Sequence, residues 1–222
     1  GAFARAAEPV LQQLVDRKGI AVLAGGSGLY IDALIKGLDP LPASDIRLRA
    51  RLMERIKEHG LADLLDELRK LDPLGWEKID KHNPHRVIRA LEVCLITGRS
   101  GTAQRTTPAD RTDIDLVRIA LEVPRTELYE KIDARVDHMI RSGLLEEVRA
   151  LLRYRDLNSL RTVGYREMLD HLDGRSSLFE TIDLIKQHTR NYAKRQLTWL
   201  RRDRSWNWVP PADLLKMVGL AQ

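Results

Sequence analysis

The sequence has a single cysteine, Cys94, among 222 residues, which excludes a disulfide framework and a cysteine metal site. Cys94 falls in the apolar run ALEVCLITG and reads as a core residue. No apolar run approaches the roughly 20 residues that a bilayer-spanning helix needs. The N-terminal GAFARAAEPV also lacks the charged start and hydrophobic block of a secretory signal, so a cytoplasmic protein without membrane association is expected. The histidines are scattered: His82 and His85 flank one helix start, while His59, His138, His171 and His188 stand apart. Metal-ligand spacing such as H-E-x-x-H is missing, so no metal site built from protein ligands is expected. A nucleophile with a neighbouring base, an internal repeat and a low-complexity tract are equally missing.

What is present is an ordinary globular composition, 43% hydrophobic, long enough for one large domain or two small ones. The net charge of +5 is unevenly placed. Between Lys186 and Arg204 stand Lys186, Arg190, Lys194, Arg195, Arg201, Arg202 and Arg204 against Asp203 alone, which exceeds the surplus of the entire chain. A local excess of that size points to a polyanionic partner.

Residues 4–17 carry helical spacing with Pro9 as a kink or break, Gly19 ends that segment, and residues 20–24 read as a buried strand. The chain then breaks into Gly25-Gly26-Ser27-Gly28 and resumes as a helix over 29–36, punctuated by Gly37, Pro40 and Pro42. From Asp45 to Ser100 the pattern is helical, with stops at Gly60 and Gly98. In its last helix Asn83 is the N-cap, Pro84 the first helical residue, and Val87, Ile88, Leu91, Cys94 and Leu95 the buried stripe. TPADRTDID reads as a surface connection and residues 115–123 as a second buried strand. Two helices, an irregular SLRTVGYRE, a short helix near 166–172 and a long helix over 178–204 follow, with WNWV at 206–209 as a last edge strand. Three short strands make a poor parallel sheet by themselves, because buried strands need neighbours on both sides.

A strand ending in Gly25-Gly26-Ser27-Gly28 before a helix presents backbone N–H groups and a hydroxyl at a sheet edge, where α/β folds bind ligands. It is not a G-x-x-x-x-G-K-[ST] loop, and a turn that needs glycine for its backbone alone is the plain alternative. Arg86 and Arg89 share one polar face of their helix, suited to phosphates or simply to water. In ELYEKIDARVDHMI, Leu128, Ile132, Val136, Met139 and Ile140 form a stripe with Arg135 at its margin, placed for a structural ion pair or for a diphosphate. In the last long helix Arg190, Lys194 and Arg201 form one row and Arg195 and Arg202 a second, with Tyr192, Ala193, Leu197, Trp199 and Leu200 on the opposite, packing side. Helix ends attract some cations unaided, but this density favours nucleic acid.

Taken together, AGGSGLYIDALIKGLDPLP, NPHRVIRALEV with LITG, VGYREM and TRNYAKRQLTWLRR resemble the tRNA dimethylallyltransferase (isopentenyltransferase) family, in order, from about Phe3 to about Val209. The resemblance implies an α/β fold: a P-loop-type core with a parallel sheet, in residues 1–40 and 114–222, and a mostly helical insertion for tRNA in residues 41–113. It implies transfer of a dimethylallyl group from dimethylallyl diphosphate to the exocyclic amine of the adenosine beside the anticodon, with Mg2+, on the tRNA anticodon stem-loop. It places Ser27, where the family usually has threonine, at the target base, with Gly25, Gly26 and Gly28 shaping the loop, and Arg135 at the diphosphate. Arg49, His85, Arg86 and Arg89, then Arg161, Gly164, Tyr165 and Arg166, and finally Lys194, Arg195, Thr198 and Arg201 fall on tRNA-contacting stretches, joined by Arg190 on charge grounds.

The family's G-x-x-x-x-G-K-[ST] loop and general-base aspartate fall upstream of the region matching Phe3, and neither is in this sequence. The expectation is therefore a truncated enzyme, inactive alone, with Mg2+ held mainly through the diphosphate and the missing segment, and a monomer. Two alternatives stay open: a non-catalytic RNA-binding fragment, and a P-loop small-molecule kinase relative.

Overall fold

The computed structural model describes residues 1–39, 41–106 and 110–217. Pro40 and residues 107–109 of the expected connection lie outside the described residues. The elements are α1 (Ala2–Lys18), α2 (Gly28–Ile35), α3 (Ile46–His59), α4 (Leu61–Leu71), α5 (Pro73–Lys78), α6 (Pro84–Thr97), β1 (Ile119–Leu121), α7 (Arg125–Arg141), α8 (Leu144–Ala150), α9 (Tyr165–Leu172), α10 (Leu178–Leu200), β2 (Asn207–Val209) and α11 (Leu214–Met217). The chain forms two compact units, one of residues 1–25 and 29–114, the other of 26–28 and 115–222.

In the first unit α1 runs through Pro9 without a break, because the proline costs the helix one hydrogen bond while the apolar spacing continues on both sides. Gly19 ends it in the left-handed conformation, its N–H bonded to the Val15 carbonyl. The expected strand over 20–24 does not form. Ile20 is 67% and Val22 84% exposed, and no strand pairs with this segment among the described residues. Apolar composition alone cannot make a strand whose backbone groups have no neighbour. The core lies among α3, α4 and α6, where Leu52, Leu64, Leu68, Val87, Ile88, Leu91 and Cys94 are buried together. Asn83 caps α6 through Arg86 N–H and Gly98 ends it, as its sequence requires. Leu95, expected in the stripe, is 38% exposed instead.

The second unit packs α7, α8, α9 and α10 around Val136, Leu144, Val148, Met168, Leu169 and Ile185. Beside them β1 and β2 form a two-stranded parallel sheet in the register Ile119 to Asn207, Ala120 to Trp208 and Leu121 to Val209. The fold is thus mostly helical with a small parallel sheet, and the wider parallel sheet expected from the sequence is not formed among the described residues. A capping box of Ser177 and Glu180 starts α10. The helix stops at Leu200, short of the expected Arg204. There the Asp203 carboxylate accepts from Ser205 N–H at 2.9 Å and its hydroxyl at 2.6 Å, a local turn that competes with helix.

Candidate functional site

The N-terminal half of α10 is buried through Thr181 and Ile185, and the C-terminal half together with the turn after it carries the cations. Those cations divide into two kinds. Lys186 pairs with Asp137 at 2.7 Å, and Arg190 pairs with both oxygens of Asp133 at 2.8 and 3.0 Å while lying 5.7 Å from the Tyr129 ring. Both partners stand on α7, so these two charges are already matched. Lys194, Arg195, Arg201 and Arg202 are exposed and have no carboxylate partner among the described residues. Arg195 lies 5.6 Å from the Tyr192 ring and Arg201 5.4 Å from the Trp208 ring, leaving their guanidinium edges to solvent. Two details of the helical wheel change: Tyr192 is 42% exposed rather than packed, and Leu197 lies about 20° from the Arg190 row rather than opposite it. Thr198 turns its hydroxyl back onto the Lys194 carbonyl at 2.9 Å.

The glycine loop sits on the same helix. Gln196 Nε2 donates to the Gly26 carbonyl at 3.0 Å, and a Cβ on Gly26 would run into that Gln196 amide. A Cβ on Gly28 would run into the Trp199 indole, which meets Trp206 edge-on at 5.8 Å. None of Gly25, Gly26 and Gly28 has a positive φ, so Gly26 and Gly28 serve close approach rather than a left-handed turn. Ser27 between them is exposed. Substituting Gly28 with Ala should cost about 1–3 kcal/mol through overpacking. Chemical denaturation and a shift in tryptophan emission from Trp199 would record it.

Arg135 is exposed on α7, and no hydrogen bond or ion pair joins it to the loop among the described residues. Arg161 is exposed, and so are His85 and Arg86 at the start of α6. Arg49 and Arg89 are instead drawn to Glu92, which is fully buried. Arg49 Nε and Nη2 each reach Glu92 at 3.0 Å, Arg89 Nη1 reaches it at 2.7 Å, and Asp45 N–H donates at 2.8 Å. Gly164 is buried with φ +99°, where only glycine is comfortable, and Tyr165 donates its hydroxyl to Glu147. The carboxylate of Glu167, 3% exposed, takes Gly164 N–H at 2.7 Å, Arg166 Nη2 at 3.0 Å and His188 Nδ1 at 2.7 Å. Gln196, Asp133, Glu92, Glu167 and His188 were not expected at the site. Only Glu167 had a signal in the sequence, as a glutamate three residues after a glycine at a helix start.

Asp72 is a third buried carboxylate, accepting from Gly75 N–H, the Ser100 hydroxyl, and both the N–H and hydroxyl of Thr102 at 2.8–3.0 Å. Burial pushes Asp72, Glu92 and Glu167 upward, but their hydrogen bonds win and hold all three below the usual carboxylate range. A carboxyl lowered by folding contributes stability above its unfolded value, and that contribution is lost as pH falls through the folded value. Urea midpoints should therefore fall steeply from about pH 5 downward, and Asp72→Asn should flatten the dependence. Among the described residues no group of three or more His, Cys, Asp or Glu could hold a metal ion. No helix among them is long and apolar enough to cross a membrane.

Exposed cations, an aromatic backing and a clasped glycine loop on one helix define a surface suited to a phosphate-rich polymer. The chain belongs to the IPP transferase family, whose model matches residues 1–203. It is 43% identical over 209 residues to tRNA dimethylallyltransferase 1 of Bacteroides thetaiotaomicron, covering 94% of this chain and 68% of that protein. Among solved structures, the full-length tRNA isopentenylpyrophosphate transferase of Bacillus halodurans aligns with TM-score 0.61 at 36% identity, over 94% of this chain and 65% of that one. A eukaryotic dimethylallyltransferase crystallised acting on tRNA aligns with TM-score 0.71 over 96% of this chain and 57% of its own, and at 22% identity shows likeness of fold. The chain thus spans about two thirds of the length of its curated relative and of the bacterial structure.

Proposed function

We propose that this chain carries the RNA grip and base-binding loop of a cytoplasmic tRNA dimethylallyltransferase. The reaction moves the dimethylallyl group from its diphosphate to the exocyclic amine of the adenosine 3′-adjacent to the anticodon. The observation that carries the reading is that the Ser27 loop is clasped by Gln196 and Trp199 between the unpaired cations Lys194 and Arg201 of one helix. A base inside an anticodon arm must leave its stack before its amine meets an allylic carbon. Exposed cations on α10 hold the phosphates, Trp199 and Trp206 back the loop, and the Ser27 hydroxyl hydrogen-bonds the base or its amine. As the carbon–nitrogen bond forms, the allylic carbon–oxygen bond breaks and diphosphate leaves with its electron pair, its charge matched by Arg135. The amine then loses its proton to a base. Mg2+, bound together with the diphosphate, would help offset the negative charge developing on that leaving group beside Arg135.

These 222 residues contain no G-x-x-x-x-G-K-[ST] loop, so by themselves they are expected to bind RNA without completing transfer. The test is fluorescence anisotropy with an anticodon stem-loop RNA, followed by assay of a chimera that adds the part of the Bacteroides thetaiotaomicron relative left uncovered by the match. Salt-dependent binding by the chain, and a prenylated adenosine from the chimera, are expected. Binding without product from the chimera would favour an RNA-binding module, which the absent loop also suits. A small-molecule kinase predicts neither result, and the matched relatives described above are transferases by name. In the chimera Arg135→Ala should weaken the diphosphate substrate, raising its KM or lowering kcat, while leaving RNA affinity unchanged.

A further inference from the structure

The turn at 164–166 and the cationic helix are tied through one buried carboxylate. Glu167 Oε2 accepts the Gly164 N–H, which fixes a backbone that only glycine adopts readily. Its Oε1 binds two groups at once, Arg166 Nη2 from its own helix and His188 Nδ1 from α10. At 3% exposure these three bonds serve a group that would otherwise be costly to bury.

His188 and Arg195 share one stripe of α10, and Arg202 lies in the turn just past the end of that helix. Positions seven apart drift by only about 20°, and seven residues rise about 10 Å. Arg166, hydrogen-bonded to the carboxylate beside His188, is therefore placed about 10 Å before Arg195 along that stripe. Its side chain is 57% exposed. With one Nη held by Glu167, the other edge of the guanidinium is free to meet a phosphate without first losing its rotamer freedom.

From this geometry we infer that Glu167 is a positioning residue for RNA: it locks the Gly164–Arg166 turn onto α10 at His188, so that Arg166 adds a phosphate contact one step before Arg195 on the same stripe. The inference rests on the functional reading above. A carboxylate that only stabilised the fold would serve equally well with Arg166 absent.

The test is the slope of log affinity against log salt for an anticodon stem-loop RNA, with thermal unfolding followed in parallel. Each lost phosphate contact lowers that slope by about 0.7–0.9. Glu167→Gln retains the carbonyl for Gly164 but sets an amide donor among Arg166 and His188, so it should reduce the slope by one contact. Arg166→Gln should reduce it equally, and the double variant no further. Should Glu167→Gln fail to fold, Glu167→Asp, which keeps the charge but retracts it, is read in the same way. An unchanged slope in the Glu167 variant, or losses that add in the double variant, overturns the inference while the functional reading stands. Wild-type protein without salt-dependent RNA binding overturns both.

Discussion

Replacing Lys194 and Arg201 together by glutamate should weaken anticodon stem-loop binding on the order of 100-fold near physiological salt, and flatten its salt dependence by about two contacts. Both side chains are exposed and face no carboxylate, so nothing in the protein offsets their charge before RNA arrives. Their reversal converts two attractions into two repulsions within one row, which is why the effect exceeds that of simple neutralisation. Arg190 is the internal control. It belongs to the same row by spacing, yet Asp133 holds it with two hydrogen bonds at 2.8 and 3.0 Å. Arg190→Ala should therefore act mainly on stability, by about 1 kcal/mol for a partly exposed pair, with a much smaller change in RNA affinity. Anisotropy titrations at several salt concentrations, paired with denaturation curves, separate the two outcomes.

The largest stability effect should come from Glu92→Gln, at about 3 kcal/mol, measured as a fall in the free energy of unfolding in urea. Glu92 is fully buried and accepts from Asp45 N–H, from Arg49 twice and from Arg89. An amide in its place retains one acceptor and points two N–H donors at two guanidinium groups. The arginines are 41% and 34% exposed and regain water in part, which keeps the cost below that of a wholly buried ion pair. Because Asp45 caps α3 through Arg47 and Leu48 N–H, the loss should also loosen the entry to that helix. Amide exchange at Arg47 and Leu48 should accelerate in the variant relative to the core residues Leu64 and Leu68.

Local rules were readable at several helix ends, though not at the C-terminus of α10, which stops at Leu200. Asn83-Pro84, Gly19, Gly60 and Gly98 act at short range, and the folded chain uses each one as its chemistry requires. The strand over 20–24 was misread, because whether an apolar stretch pairs depends on a neighbour that spacing along one chain does not reveal. Partnership was the other thing the sequence hid. Arg190 and Lys194 look alike on a helical wheel, but only Arg190 has an aspartate from α7 opposite it. The same holds for Gly26 and Gly28: their role as gaps for Gln196 and Trp199 involves residues some 170 positions away. Buried carboxylates were invisible for a related reason, since Glu92 and Glu167 sit among charged residues in the sequence and among their donors only in space.

The clasp on the glycine loop makes α10 a gauge as well as a handle. Gln196 and Trp199 fall between Lys194 and Arg201, so what seats the loop and what holds the polymer are separated by no more than a turn or so, about 5 Å along a stiff rod. A nucleotide whose phosphate-to-base reach differs from that interval cannot satisfy both ends together, however strongly either attracts it. Selectivity would then follow from a length set into the helix itself, and altering it would take inserted residues rather than exchanged ones.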